Sequence, residues 1–270
     1  MLTKYDEYPL HQISDTFAAV QSGYQHWNDG HYICFCDMDG EISVVTTLRL
    51  YQNNDVMDGF SCVRHEGKQY NLRVSRRLRP AIDDFSVGPM RLEIIEPMKL
   101  VRLTVGENDF GVSMDIVCET AAAPYEDPIS VSRVDGRLLS ERAVYEVVGR
   151  LEGHVTVNGK RYNVTKDRWY CFRNHSWGFM PGRGGPRQHA APPLVPPARQ
   201  QGLRNWVLYL MSDYGGFYQF SEDPKGKRRS MEGEILTPTW DRTQPKVKFV
   251  DAKHDLQFYG TTRRLKGGSI

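Results

Sequence analysis

From Arg142 to Val157 apolar and polar positions alternate. Ala143, Tyr145, Val147, Gly149, Leu151, Gly153, Val155 and Val157 stand on one parity and Arg142, Glu146, Arg150, Glu152, His154 and Thr156 on the other. Period two predicts a strand with one buried face. Leu139, Ala143 and Val147 also recur at helical spacing, but Gly149 and Gly153 penalise a helix by about 1 kcal/mol each against alanine. The run closes on Asn158-Gly159, a strong hairpin signal because both central residues of a type I′ turn need positive φ, and Tyr162 and Val164 follow on the return. Similar hairpins are expected from Tyr32–Phe35 through Asp39-Gly40 into Ile42–Tyr51, and from Ser61–Arg64 through Glu66-Gly67 into Tyr70–Val74. A third runs from Arg91–Val105 through Gly106-Glu107-Asn108-Asp109 into Val112–Glu119. Strands at this spacing, with almost no long helical period, predict an all-β sandwich or barrel and disfavour parallel α/β architectures.

The chain has 270 residues, enough for two modest domains or one large β unit. A composition shift at AAAPYEDP (121–128) suggests a boundary, giving residues 1–127 and 128–270. A second irregular stretch, 180–201, holds PGRGGP and APPLVPPAR; it is long for a plain connector and reads as a lid or a disordered excursion. The ending TTRRLKGGSI suggests that a last strand is missing.

Charge narrows the functional classes. Thirty-five basic against 33 acidic side chains disfavour a dedicated nucleic-acid binder. The basic runs at Arg76-Arg77, Lys225–Arg229 and Arg263-Arg264 read as solvated loop charge. No 18-residue apolar window or leader-like start is present, so membrane insertion and export are not expected and the protein is placed in the cytoplasm. Five scattered cysteines (34, 36, 62, 118 and 171) read as reduced, buried and inert, and no second pair completes a zinc site with Cys34 and Cys36.

Nucleophile-elbow, phosphate-loop, dinucleotide and HExxH motifs are missing, so no cofactor or metal is expected. The string Arg173-Asn174-His175-Ser176-Trp177-Gly178 stands out, where a strand runs into the irregular stretch. In strand geometry Arg173, His175 and Trp177 share one face, and Asn174 and Ser176 the other. Together they offer a proton carrier, an anion-steadying fork and a stacking wall. The competing reading is a histidine and a tryptophan that simply complete a core. His26-Trp27-Asn28-Asp29 form a second candidate group, in which His26 and Asn28 share a face if the segment is extended, although Asn28-Asp29-Gly30 is equally a turn signal. Glu93, Glu96, Asp115 and Glu146 are acidic candidates. Among them Asp115, between Met114 and Ile116, is expected to feel desolvation and hold a raised pKa.

YEVVGRLEGHVTVNGKRYNV, followed by RNHSWG and PGRGGP, is similar to the second-domain signature of the lipocalin-like AttH and carotenoid 1,2-hydratase superfamily. That group also includes kievitone hydratase and fungal Diels–Alder cyclases. SVGPMRLEIIEPMKLVRLTV and VSMDIVCE extend the likeness over nearly the whole chain, its specific part being residues 145–185. The resemblance implies two lipocalin-like antiparallel barrel or sandwich domains packed together, an apolar pocket in or between them, and hydration, dehydration, isomerisation or cyclisation of hydrophobic substrates. Relatives read Arg-Asp-His-Ser-Trp-Gly; Asn174 here removes the carboxylate that would orient the histidine or raise its pKa.

The expectation is therefore a cofactor-independent lyase, hydratase or isomerase acting on a small terpenoid or aromatic molecule. His175 would move the proton, Arg173 or Asn174 would steady an oxyanion, with Asp115 as a further acid/base candidate, and Trp177, Tyr145, His26 and Trp27 would contact the substrate. A non-catalytic carrier of a hydrophobic molecule is the alternative, and a purely structural module ranks below both. The sequence leaves oligomeric state open.

Overall fold

A computed structural model describes residues 1–270 apart from 3, 4, 6–8, 10, 12, 135, 181–201, 240, 242, 244 and 263. The lid or excursion expected at 180–201 therefore lies, beyond Met180, outside the described residues. Described structure is all-β. Four strands, β1 (Asn28–Asp37), β2 (Ile42–Tyr51), β3 (Val56–His65) and β4 (Lys68–Arg77), form a meander. Next come β5 (Ser86–Val87), β6 (Met90–Glu96), β7 (Leu100–Val105), β8 (Val112–Thr120), β9 (Tyr125–Glu126) and β10 (Ser130–Val134). The 21-residue β11 (Arg137–Val157) is followed by β12 (Lys160–Val164) and β13 (Trp169–Phe179). All thirteen belong to one antiparallel sheet in the order β4-β3-β2-β1-β13-β11-β8-β7-β6-β5, with β9, β10 and β12 added along β11. β5 packs on β3 and β4, so the sheet curls into a nearly closed barrel.

The turn chemistry follows the expectation. Asn158 and Gly159 take φ of 49° and 80°, as a type I′ turn requires. The run 91–105 is two strands rather than one: Pro97, which has no N–H to give a ladder, sits in a reversal where Lys99 N–H bonds Glu96 O at 3.1 Å. Asn28-Asp29-Gly30 is no turn but the start of β1.

β11 organises the molecule. One edge pairs in succession with β10, β9 and β8, and the other with β13 and β12. Gly149 lets it pass close to β8, because a Cβ there would sit 2.4 Å from Glu119 O. The chain does not change sheets at the composition shift, since β10–β13 complete the sheet that β1–β8 begin.

A second sheet, β14 (Leu203–Leu210), β15 (Gly215–Glu222), β16 (Arg228–Leu236) and β17 (Val247–Lys248), covers part of the barrel's outer face. Phe217 and Leu236 pack there with Ala122, Tyr125 and Val148, and Trp206 meets Phe172 edge to face at 4.5 Å. A hairpin of β18 (Asp255–Phe258) and β19 (Leu265–Ser269) follows.

The barrel interior is apolar. Ile33, Phe35, Leu48, Met57, Leu103 and Leu151 belong to one continuous apolar cluster, each at most 3% exposed. All five cysteines are free; Cys118 and Cys171 join this core, whereas Cys36 is exposed, contrary to the expectation that all are buried. Among the described residues no helix is long and apolar enough to cross a membrane.

Candidate functional site

Strand pairing places the site. β1 and β13 align Asp29 with Trp177, His31 with His175 and Ile33 with Arg173. β13 and β11 align His175 with Tyr145 and Arg173 with Val147. Residues directly opposite share a face, so Asp29, His31, Tyr145, Arg173, His175 and Trp177 all stand on the inner face, at one end of the barrel.

His175 is the centre of this group. Its Nε2 lies 2.7 Å from Asp29 Oδ1, and its ring stacks on His31 at 4.1 Å with 18° between planes. Tyr145 meets it edge-on at 5.3 Å and Trp177 tilts against it at 5.3 Å. The His175 side chain is 24% exposed and that of Asp29 39%, so solvent reaches the pair. His31 below is 3% exposed. Burial, then the positive charges of His175, Arg173 and Arg49, hold its pKa well below the ordinary value. It is a neutral ring, and its Nδ1 has no partner. When Asp29 accepts a hydrogen bond from Nε2–H, the basic lone pair of His175 is on Nδ1. A carboxylate, an oriented imidazole and two aromatic walls at a half-open barrel end can carry proton transfer to or from a ligand.

Arg173 is 3% exposed on the same face. It reaches Thr120 Oγ1 at 3.5 Å and lies beside the Tyr145 hydroxyl, whose pKa burial raises and the guanidinium partly restores.

The alternate residues of the motif face the other way. Asn174 donates to Glu146 Oε1 at 2.8 Å, and Ser176 Oγ accepts from Arg49 Nη2 at 2.9 Å. Burial pushes Glu146 up to about 8, against the Asn174 hydrogen bond and with help from the Asp127 charge. Asp127 is pushed up to about 6, again mainly by burial. Asn174 therefore cannot steady charge at the His175 ring: the sheet separates them. A carboxylate at position 174 would stand on that far face too, so the expectation that it would orient the histidine does not hold; the carboxylate at the His175 ring is Asp29, on β1.

The other expected residues lie apart. His26 and Trp27 sit at the turn before β1, where Trp27 N–H bonds Tyr24 O at 3.0 Å and His26 O accepts from Asn28 Nδ2 at 2.9 Å. Neither has a ring contact with His175 among the described residues. Asp115 pairs with His154, nine positions along β11 from Tyr145, or about 30 Å at ~3.3 Å per residue. Its expected raised pKa is overturned: Arg102 clasps it with bonds of 2.8 and 2.6 Å and holds it below the usual carboxylate range. It stands on the outer, wetter face, opposite a cation.

Neither of two cavities lined by described residues takes the His175 ring into its lining. One, of ≈ 10 Å³, lies between Asn28, Arg142, Trp177, Gly178, Phe179 and Met180, room for about one water. An open groove of ≈ 530 Å³ runs past Asp115 and His154. The site is a barrel mouth rather than an internal pocket.

Sequence reading missed His31, and it placed Asp29 in the second candidate group without joining it to His175. His31 could have been found from its place in the inward register of Ile33 and Phe35; the link from Asp29 to His175 was hidden by a turn-like tripeptide.

The fold is that of a lipocalin-like antiparallel β-barrel. Residues 2–270 match the model of a family of unknown function (DUF8625), and the chain belongs to that family. No curated protein matches it. It is similar to a solved structure provisionally assigned as AttH from Nitrosomonas europaea, at 9% identity and a TM-score of 0.53, over 83% of this chain and 68% of that one. Kievitone hydratase from Nectria haematococca matches at 13% identity and 0.48, over 94% and 71%. CghA with Sch210972 matches at 6% and 0.44, over 79% and 58%. At these identities the likeness to the AttH structure establishes the fold.

Proposed function

We propose that the protein is a cofactor-independent lyase, hydratase or isomerase that moves a proton on a small hydrophobic substrate held at the barrel mouth. One observation carries this reading: the 2.7 Å Asp29–His175 pair, partly open to solvent and backed by a neutral, buried histidine. Asp29 orients the imidazole and stabilises its cation, and Nδ1 of His175 takes or gives the proton. Tyr145 and Trp177 are the walls, and Arg173, two positions deeper, steadies negative charge developing on oxygen. Nonpolar substrate character rests on these rings and on the motif resemblance. A binding-only carrier needs only apolar walls, whereas an enzyme needs convergent titratable groups, and the approach of Asp29 to His175 supports the catalytic reading.

The test is incubation of the protein with a hydrophobic metabolite extract in deuterated water, followed by untargeted mass spectrometry. Wild type should shift one metabolite by a water or a deuteron, and folded His175→Ala should not. Equal turnover by His175→Ala would refute the role of the imidazole.

A further inference from the structure

Two arginines are buried on opposite faces of the same sheet. Arg49, 8% exposed, is tied to Asn28 Oδ1 and to Ser176 through its Oγ at 2.9 Å and its carbonyl at 3.5 Å. Arg173, at 3%, has only the long 3.5 Å contact to Thr120 Oγ1 and the neighbouring Tyr145 hydroxyl. Among the described residues no carboxylate forms an ion pair with it. Asp29, a carboxylate on its own face, is engaged by His175.

A guanidinium taken out of water without a counter-charge is costly, and folds keep such groups paired. The fork of Arg173 matches an ionised oxygen geometrically, since it presents parallel donors. Its surroundings leave that role open. Tyr145 holds its proton, and the neutral His31 ring has an Nδ1 without a partner. Arg173 lies two positions below His175, about 7 Å at ~3.3 Å per residue, so a ligand at the mouth reaches it if Tyr145 swings aside.

We propose that Arg173 is a receptor for an ionised ligand oxygen, so that the molecules taken at this mouth are hydrophobic acids bearing a carboxylate or an ionised phenol. This deepens the reading of the mouth as the substrate site and rests on it. The charged oxygen docks on the guanidinium once Tyr145 has swung aside, and the apolar body lies along His175 and Trp177 toward the mouth.

The experiment uses benzoate and 1-naphthoate, each beside its neutral alcohol, with wild type, Arg173→Met and Arg173→Lys. Binding is read by tryptophan fluorescence and by thermal shift. Wild type should bind the acids about tenfold or more tighter than the alcohols, the scale of a charge-assisted hydrogen bond. Arg173→Met should lose that preference and, without ligand, unfold at no lower temperature than wild type, because it removes an uncompensated charge. Arg173→Lys, which keeps the charge without the fork, should retain part of the preference if Arg173→Met fails to fold. Wild type that ignores the acids, or an acid preference that survives in Arg173→Met, would overturn the proposal. His175→Ala separates the two readings: it should keep acid binding while losing turnover, so the anion receptor can fail with the proton-transfer role intact, and the reverse.

Discussion

The two faces of β13 carry alternate residues of one hexapeptide, and they use them in opposite ways. On the inner face Arg173, His175 and Trp177 stand at an open barrel end, with Asp29 poised on the histidine. On the outer face Asn174 and Ser176 are at most 4% exposed and tied to Glu146 and Arg49. The inner face keeps Asp29 and His175 within reach of solvent; the outer face ties Asn174 Nδ2 and Ser176 Oγ into internal bonds, leaving Asn174 Oδ1 and Glu146 Oε2 buried without a partner among the described residues. Buried polar networks fix structure when satisfied, whereas reactive groups must meet a ligand. The period of a strand is enough to divide a motif into a working half and a holding half.

The largest expected difference between the faces is in turnover. His175→Ala should reduce the rate by roughly 10²–10⁴, the usual contribution of a general acid or base, as measured on the substrate that mass spectrometry identifies. Asn174→Ala, one residue away, should change that rate far less and act on stability. If both variants lose activity alike while folded, the division between the faces fails.

On the holding side, Arg49→Ala leaves Asn28 and Ser176 without their charged partner. It should cost about 2–3 kcal/mol in denaturant unfolding, the scale of a buried hydrogen bond to a charged group. A change below about half that would show that the network does not hold the sheet.

The faces should also answer pH in opposite directions. Glu146 has a folded pKa near 8, above its unfolded value of about 4.3. The folded state then binds the extra proton, and stability falls as pH rises between those values, by at most about 1.4 kcal/mol per unit. Asp127, at about 6, adds to the fall only in the lower part of that window. His31 is shifted downward, so the unfolded chain takes up its proton first. Its contribution is whole above about pH 6.5 and is lost as pH drops below. Unfolding of Glu146→Gln between pH 6 and 8 should lack the wild-type slope; an unchanged slope would assign it elsewhere.

The smallest effect concerns the geometry that both faces share. Gly149→Ala would press a methyl on Glu119 O and should cost about 1–3 kcal/mol, with turnover per folded molecule nearly unchanged. A large loss of turnover at full stability would mean that β11 positions the mouth more tightly than its pairing suggests.

Much of this was legible in the chain. Alternation over 142–157 and the Asn158-Gly159 turn announced β11 and its hairpin, and the same alternation correctly separated Arg173, His175 and Trp177 from Asn174 and Ser176. Local signals failed where partners are distant. Asp29 lies 146 positions from His175, and its Asn-Asp-Gly setting favours a turn until β13 pairs with it. Pro97 split an apolar run that hydrophobicity alone joined. Asp115 looked buried between Met114 and Ile116, but a strand sends its neighbours to the opposite face and leaves the carboxylate to Arg102. The continuous apolar cluster inside the barrel depends on how side chains from many strands interdigitate, which no single strand's pattern contains.

The most direct test of the Asp29–His175 unit is a kinetic double-mutant cycle with Asp29→Asn and His175→Gln. If the carboxylate acts through the imidazole, the double variant should be no slower than His175→Gln alone, because groups that work as one are strongly non-additive. Independent, multiplying losses would contradict the account.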